Sequence, residues 1–214
     1  MLVSGVSRSI RMVVFDLDGT LTPVDSLWRY LHEAFGTWDR GRIAAEKYGK
    51  GEISYREWAE SDAQNWAGVS VAEMKSVIDG ISYRDGARDL FDELKRRGVR
   101  TVILSAGLSV LADKAANDLG ADLAIANELR TENGRLTGEI EVKVSVDNKE
   151  RIVRDIASMF RVPLEEVALV GDRGLDLGND ECLKIAFMPK DEVARVAAHH
   201  IVKSDLGTII QYLT

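Results

Sequence analysis

Short apolar runs separated by amphipathic stretches set the pattern of this chain. Five runs rich in Val, Ile and Leu occur at 12–15, 99–104, 123–126, 167–170 and 185–188. Such runs are typical of strands buried on both faces of a parallel sheet. Three stretches with helical spacing lie between them, at 87–97, 108–119 and 149–160. Alternating strands and helices predict an α/β fold built on a doubly wound, Rossmann-like parallel sheet.

Two segments interrupt that alternation. Residues 25–79 are helical in pattern and hold all four tryptophans of the chain. We therefore expect a small inserted helical cap domain at 25–79, with the α/β core formed by 1–24 and 80–214. Asn133-Gly134 is a strong hairpin signal between two short strand-like runs.

Composition narrows the function class. The net charge is −7, which argues against a nucleic-acid surface. A single cysteine, Cys182, permits no intramolecular disulfide and fits a reducing compartment. Arg8 and Arg11 interrupt the N-terminal segment, so it does not resemble a signal peptide, and no apolar run approaches the ~20 residues of a membrane span. We expect a cytoplasmic monomer or homodimer without membrane or nucleic-acid partners.

Asp16 and Asp18 directly follow the first predicted strand. Ligands of open α/β sheets bind at the carboxyl ends of strands. Residues two apart in extended chain point the same way, so these carboxylates can converge. They then repel each other unless a cation such as Mg²⁺ or a proton lies between them, and a proton on Asp18 suits a general acid. An Asx turn that merely ends the strand is the alternative.

Three further features follow other predicted elements. Ser105-Ala106-Gly107 comes after 99–104 and offers a hydroxyl with small residues whose amides can approach an anion. Lys149 opens a helix, where its ammonium and the helix N-terminus both favour an anion. Asp172 and Asp176 form a second acidic cluster after 167–170. Ser105 as a helix cap and Lys149 as a surface residue are the plain alternatives, but together these features predict a phosphate and metal site.

In this order, these residues resemble the haloacid-dehalogenase superfamily of phosphatases, most closely its phosphoserine-phosphatase-like branch. The resemblance extends from Val13 to about Asp205. It implies a Mg²⁺-dependent hydrolase that acts on a small phosphorylated metabolite. Asp16 would attack phosphorus and form an aspartyl-phosphate, and Asp18 would protonate the leaving alcohol and later activate water.

The resemblance also assigns the supporting residues. Ser105 and Ala106 would bind the phosphoryl oxygens, and Lys149 would balance their charge. The expected metal residues are Asp16, Asp18 through its backbone carbonyl, Asp172 and Asp176, the last as ligand or orienting residue.

The chain departs from phosphoserine phosphatases at three positions. Leu175 stands where they usually carry Asn. Asp25 and Asp62 fall where they place a Glu for the substrate amine and an Arg for its carboxylate. Asp25 can meet an ammonium, but Asp62 would repel a carboxylate, so we expect phosphoserine to be a poor substrate. Tyr55 matches an aromatic residue that contacts substrate in that family.

The cap aromatics have two interpretations. In one interpretation they line a pocket for an apolar, aromatic or cationic leaving group, and in the other they pack the core of the cap. The residues concerned are Trp28, Trp38, Tyr55, Trp58 and Trp66. His32 has no evident partner and is expected to be a cap surface or core residue.

Three other functions stay open: phosphoserine phosphatase proper, an aspartyl-phosphate phosphotransferase, and a weakly catalytic protein that senses phosphate. Asp18 speaks against the last, because binding alone needs no general acid.

Overall fold

A computed structural model of the chain describes residues 9–213. The strands are β1 (Met12–Phe15), β2 (Arg100–Leu108), β3 (Leu123–Glu132), β4 (Arg135–Glu141), β5 (Val167–Gly171), β6 (Leu183–Phe187) and β7 (His200–Val202). The α-helices are α1 (Leu27–Ala34), α2 (Trp38–Gly49), α3 (Tyr55–Asn65), α4 (Val71–Asp79), α5 (Ala87–Arg96), α6 (Ser109–Leu119), α7 (Lys149–Phe160) and α8 (Glu192–Ala197). Short 3₁₀ turns occupy Leu164–Glu166, Gly174–Leu177 and Leu206–Tyr212.

The strands form one sheet in the order β4-β3-β2-β1-β5-β6-β7. Among the strands of residues 9–213, the β3–β4 pair is antiparallel and the other pairs are parallel. β1 pairs with both β2 and β5, so chain connections diverge on either side of it. This is a topological switch point, where α/β sheets bind ligands. The predicted parallel α/β fold is confirmed.

Alternating side chains of β1 supply the two faces of the core. Val13 and Phe15 pack into an apolar cluster that includes residues of α5 and α6. Met12 and Val14 pack into a second cluster with residues of α7 and α8. Because the sheet is covered on both faces, β1 needs apolar residues at every position, which explains why its sequence does not alternate.

Two strands are longer than their apolar runs predict. β2 continues through Ser105 to Leu108, and its register with β3 shifts between Leu104 and Leu108. β3 continues to Glu132 and turns at Asn133-Gly134, both with positive φ (49° and 76°), into β4. This turn confirms the predicted hairpin.

The segment between β1 and α5 is helical, with α1 to α4 in succession. Serines begin three of these helices. Ser54 forms a capping box with Glu57, and the hydroxyls of Ser26 and Ser70 accept backbone N–H bonds of the first turns of α1 and α4. None of the helices within residues 9–213 is long and apolar enough to cross a bilayer.

Candidate active site

Asp16 and Asp18 lie at the carboxyl end of β1. The Asp16 N–H donates to the Val170 carbonyl at 2.9 Å and extends the pairing with β5. The Leu27 N–H donates to Asp18 Oδ2 at 2.6 Å, while Asp18 Oδ1 is buried without a hydrogen-bond partner. The start of α1 therefore orients Asp18 and leaves one of its oxygens available.

Gly19 is required by this turn. Its φ of +81° is unfavourable for other residues, and a Cβ atom there would lie 2.2 Å from Asp172 Oδ2 and 2.3 Å from Lys190 Nζ. The glycine thus lets the β1 loop approach the loop after β5.

Lys149 is buried and joins two carboxylates. Its Nζ donates to Asp16 Oδ1 at 2.8 Å and to Asp176 Oδ1 at 2.6 Å. Burial opposes the charged ammonium, but Asp16 and Asp176 outweigh it and raise the pKa of Lys149. Lys149 therefore stays protonated between the two acids.

Asp16, Asp172 and Asp176 come together as an acidic cluster. One carboxylate oxygen from each lies within 4.8 Å of the others. Asp172 Oδ1 is buried and has no hydrogen-bond partner, whereas Asp172 Oδ2 lies 2.8 Å from Lys190 Nζ. A buried oxygen without a donor, in a hard-oxygen ligand set, fits a divalent cation. The Asp18 side chain is not part of this cluster.

The environment shifts the acidities of these residues toward neutrality. Burial, reinforced by the charge of Asp16, raises the pKa of Asp18 to about 7. Burial and the charge of Asp16 raise the pKa of Asp176 to about 6, against the pull of Lys149. Burial also raises the pKa of Asp172, an effect that Lys190 opposes. A carboxyl that titrates near neutral pH is suited to give and take a proton.

Ser105 and Gly107 lie across the cleft from β1. Ser105 is buried, and its Oγ accepts the Gly107 N–H at 2.9 Å. A Cβ on Gly107 would lie 3.1 Å from Ser105 Oγ and 3.4 Å from Asp18 Oδ2. Glycine at this position leaves the hydroxyl and the acid close together.

The carbonyl of Ala106 accepts three side-chain hydrogen bonds. Trp28 Nε1 donates at 3.3 Å and Asn127 Nδ2 at 2.9 Å, and the Tyr55 hydroxyl makes the third, short bond. We call Ser105-Ala106-Gly107, which the sequence predicts to bind an anion, the phosphate loop. Two of the three donors come from the helical segment, so the phosphate loop is bonded directly to α1 and α3.

Asn127 is a buried residue of β3 that sequence reasoning missed. Besides Ala106, it donates to the Tyr55 hydroxyl at 3.0 Å. Its Oδ1 accepts the Lys143 and Val144 N–H groups at 2.8 and 2.9 Å. It thereby fixes the segment that leads to Lys149. A lone Asn in a strand carries no spacing signal in the sequence.

Lys190 is the second residue that sequence reasoning missed. Its Nζ lies 2.8 Å from Asp172 Oδ2 and 2.5 Å from Asp25 Oδ1. Hydrogen bonding to Lys190 lowers the pKa of Asp25. Asp25 lies at the rim of the cleft, as predicted, but it is already paired with a cation of the core.

These residues surround one cleft of about 390 Å³. Its lining includes every site residue predicted from the sequence together with others: Asp16, Asp18, Asp25, Ser26, Trp28, Tyr48, Tyr55, Trp58, Ser105, Ala106, Gly107, Val146, Lys149, Asp172, Arg173, Leu175 and Asp176. Trp28, Tyr55 and Trp58 of the predicted aromatic set line the cleft, and Tyr48 joins them. Trp66 is fully buried against Trp28, and Trp38 packs near His32.

The expectation that Asp62 would face the substrate is wrong. Asp62 is buried inside the helical segment, 3.1 Å from His32 Nε2. His32 does have partners, since its Nδ1 also contacts Thr37 Oγ1 at 2.7 Å. Asp62 therefore cannot repel a substrate carboxylate, because a charge sealed against His32 does not border the cleft.

Comparison with known proteins places the chain in a family. The family model described as haloacid dehalogenase-like hydrolase matches residues 13–178. A phosphoserine phosphatase of Archaeoglobus fulgidus is 34% identical over 206 residues, 95% of this chain, but the chain spans only 60% of that relative's length. A phosphoserine phosphatase of Methanocaldococcus jannaschii is 28% identical, and the match covers 97% of this chain and 100% of the relative.

A solved structure titled as a phospho-aspartyl intermediate analogue of phosphoserine phosphatase is also similar. It superposes with a TM-score of 0.80 at 26% identity, covering 96% of this chain and 100% of the other. The chain belongs to the haloacid dehalogenase-like hydrolases, in their phosphoserine-phosphatase-like branch.

Proposed function

We propose that this chain is a Mg²⁺-dependent phosphomonoester hydrolase that acts on a small phosphorylated metabolite in the cytoplasm. The observation that carries the proposal is the cleft itself. Asp16, paired with Lys149, and Asp18, with its pKa near neutrality, face the same space as Ser105. The relatives, named as phosphoserine phosphatases, support the same reaction class.

The nucleophile in this proposal is Asp16. Its Oδ1 is held by Lys149, and its Oδ2 accepts only a long 3.4 Å bond from Thr20. Oδ2 attacks phosphorus, the bond from phosphorus to the leaving oxygen breaks, and Asp18 gives that oxygen its proton. Asp18, now ionised, takes a proton from water, and the water oxygen attacks phosphorus and releases Asp16.

Ser105 and Lys149 provide the electrostatic support. In this proposal the Ser105 hydroxyl and the Ala106 amide donate to phosphoryl oxygens, and Lys149 offsets their negative charge. Fixed donors of this kind contribute on the order of 2–4 kcal/mol each to transition-state stabilisation.

The acidic cluster fits a divalent cation, and we propose that it binds Mg²⁺. Asp16 and Asp172 would hold the ion with the backbone carbonyl of Asp18, and Asp176 would orient the site through Lys149 or ligate directly. When bound, the ion supplies positive charge that lets Asp16 and the phosphoryl group approach each other.

Residues 25–79 would form a cap domain over a core made of 1–24 and 80–214. The contacts of Trp28 and Tyr55 with Ala106 support this division of labour. A cap in this place excludes water from the cleft while Asp16 reacts.

Phosphoserine is the second candidate substrate, because both relatives described above carry that name. A phosphotransferase or a phosphate sensor would use the same residues. Phosphorylated products formed from added acceptor alcohols would identify a transferase, and binding of phosphate without turnover would identify a sensor.

The test is Asp16→Asn, assayed by phosphate release from p-nitrophenyl phosphate with and without Mg²⁺. An amide cannot act as the nucleophile, so we expect kcat to fall by about 10³-fold or more. Asp155→Asn, a change to an exposed carboxylate on α7, is the matched control and should leave kcat unchanged. Near-native activity of Asp16→Asn in a folded protein would overturn the assignment.

A further inference from the structure

Four aromatic side chains form one wall of the cleft that contains Asp16. We call Trp28, Tyr48, Tyr55 and Trp58 the aromatic wall. Trp58 is at its centre, with ring centroids 5.4 Å from Trp28, 5.0 Å from Tyr48 and 5.4 Å from Tyr55. The rings therefore make one continuous apolar surface, contributed by α1, α2 and α3.

The wall is held in place beside the reacting groups. Trp28 and Tyr55 both donate hydrogen bonds to the carbonyl of Ala106, the residue after Ser105. Asn127 supports the same carbonyl and the Tyr55 hydroxyl. A surface fixed on the phosphate loop contacts the group attached to phosphorus, because the phosphoryl group itself occupies the space near Ser105.

The wall carries no positive charge. Among residues 9–213, no lysine or arginine of α1 to α4 lines the cleft. Arg56 of α3 instead borders a separate groove and lies 3.9 Å from Glu60. The basic residues of the cleft lining, Lys149 and Arg173, belong to the segments that carry Asp172 and Asp176 or pair with Asp16. A carboxylate placed against the aromatic wall would thus face rings without a cation from α1 to α4, and an unpaired buried charge is costly.

The wall is also a poor cage for an ammonium ion. A cation is held best over exposed ring faces, and Trp58 and Tyr48 stack on each other with an angle of only 10° between their planes. Asp25, the carboxylate that the sequence suggested for an ammonium, is already paired with Lys190.

From these contacts we propose that the preferred substrate is a phosphomonoester whose leaving alcohol has an uncharged, apolar body, such as an aromatic ring, and no carboxylate near the ester oxygen. This inference rests on the proposed phosphatase function and names the substrate class of the same site. Trp58 and Tyr48 are its specificity-determining residues.

Four alkyl phosphates test the proposal: 2-phenylethyl phosphate, ethyl phosphate, O-phosphoserine and choline phosphate. All four esters release an alkyl alcohol. Differences in kcat/KM therefore reflect how the cleft binds the alcohol more than how readily the alcohol leaves. We expect kcat/KM for 2-phenylethyl phosphate to exceed that of each other ester by about 10-fold or more, since burying apolar groups in a pocket discriminates by that order. Choline phosphate or phosphoserine as the best substrate would overturn the proposal.

Matched variants locate the effect on the wall. Trp58→Leu should lower the ratio of kcat/KM for 2-phenylethyl phosphate to that for ethyl phosphate by about 10-fold. Trp38→Leu, a half-buried tryptophan of α2 outside the cleft, should leave the ratio unchanged. Tyr48→Leu provides an independent test if Trp58→Leu does not fold. An unchanged ratio in whichever of these two variants folds would contradict the proposal.

Failure of the proposed function would look different. If it is wrong, no ester, including p-nitrophenyl phosphate, is hydrolysed in a way that needs Asp16. If only the substrate class is wrong, Asp16-dependent hydrolysis persists but 2-phenylethyl phosphate has no advantage.

Discussion

Three aspartates illustrate how burial of single residues sets the chemistry of this cleft. Asp16 is held by Lys149, Asp172 keeps one buried oxygen without a hydrogen bond, and Asp18 accepts one backbone bond and leaves its other oxygen unpaired. The same residue type is therefore suited to three proposed roles, as nucleophile, as metal ligand and as acid, because the partners differ.

Asp18 should make the metal-free protein less stable as pH rises. In the folded chain it keeps its proton up to about pH 7, whereas an unfolded aspartate loses its proton near 3.8. The folded state binds more protons between these values, so stability is highest below pH ~4 and falls toward pH 7. With EDTA present, Asp18→Asn should reduce this decline by on the order of 4 kcal/mol, measured by urea unfolding at several pH values.

Asp155→Asn is again the matched control for that measurement and should follow the unchanged protein. Parallel stability curves for Asp18→Asn and the unchanged protein would show that Asp18 ionises normally in the folded chain.

At the level of elements, the apolar runs predicted the buried strands because each side chain of a central parallel strand must be apolar. β7 escaped prediction because it is three residues long and begins with His200. Side-chain contacts between elements that are distant in sequence could not be predicted from the pattern of residues either. His32 and Asp62 are thirty residues apart, and the contacts of Lys190 and Asn127 depend on where loops meet after folding.

Asn127 of β3 is bonded to Ala106 of β2 and Tyr55 of α3, so its loss should disturb the cleft. Asn127→Ala leaves the Lys143 and Val144 N–H groups without their acceptor and removes a donor from Ala106. We expect the free energy of unfolding to fall by about 2–3 kcal/mol and kcat to fall, measured by urea unfolding and phosphate release. Asn65→Ala, an exposed Asn bonded only to Ser61, should change neither, and equal behaviour of the two variants would contradict this role.

On the scale of the whole molecule, the sheet gathers the site from segments far apart in sequence. Asp16 and Asp172 follow β1 and β5, Ser105 lies in the adjacent strand β2, and Lys149 begins α7. The sequence order of these residues was enough to predict their meeting, since the ends of parallel strands share one edge. The ion pairs between these residues could not be predicted, because they depend on the conformations of the loops.

Magnesium should stabilise the whole protein if the acidic cluster binds it. A hundredfold excess of Mg²⁺ over its Kd should add about 2.7 kcal/mol, with a larger rise in Tm at pH 8 than at pH 5 because the carboxylates must be ionised to bind. Asp172→Asn should remove most of the rise, whereas Asp155→Asn should retain it. A Tm of the unchanged protein that is insensitive to Mg²⁺ would rule out the site.

The β3–β4 hairpin has a consequence for how such a cleft can open. The Gly68 and Val71 N–H groups donate to the Leu136 and Gly134 carbonyls, and the Leu136 N–H donates to the Val69 carbonyl. The side chains of Gln64 and Arg135 add bonds to the carbonyls of Gly138 and Gly68. Any outward swing of these helices must therefore move the hairpin with them or break these bonds. A ligand, an insertion or a tether placed on this distant hairpin would then slow the opening of the cleft that contains Asp16.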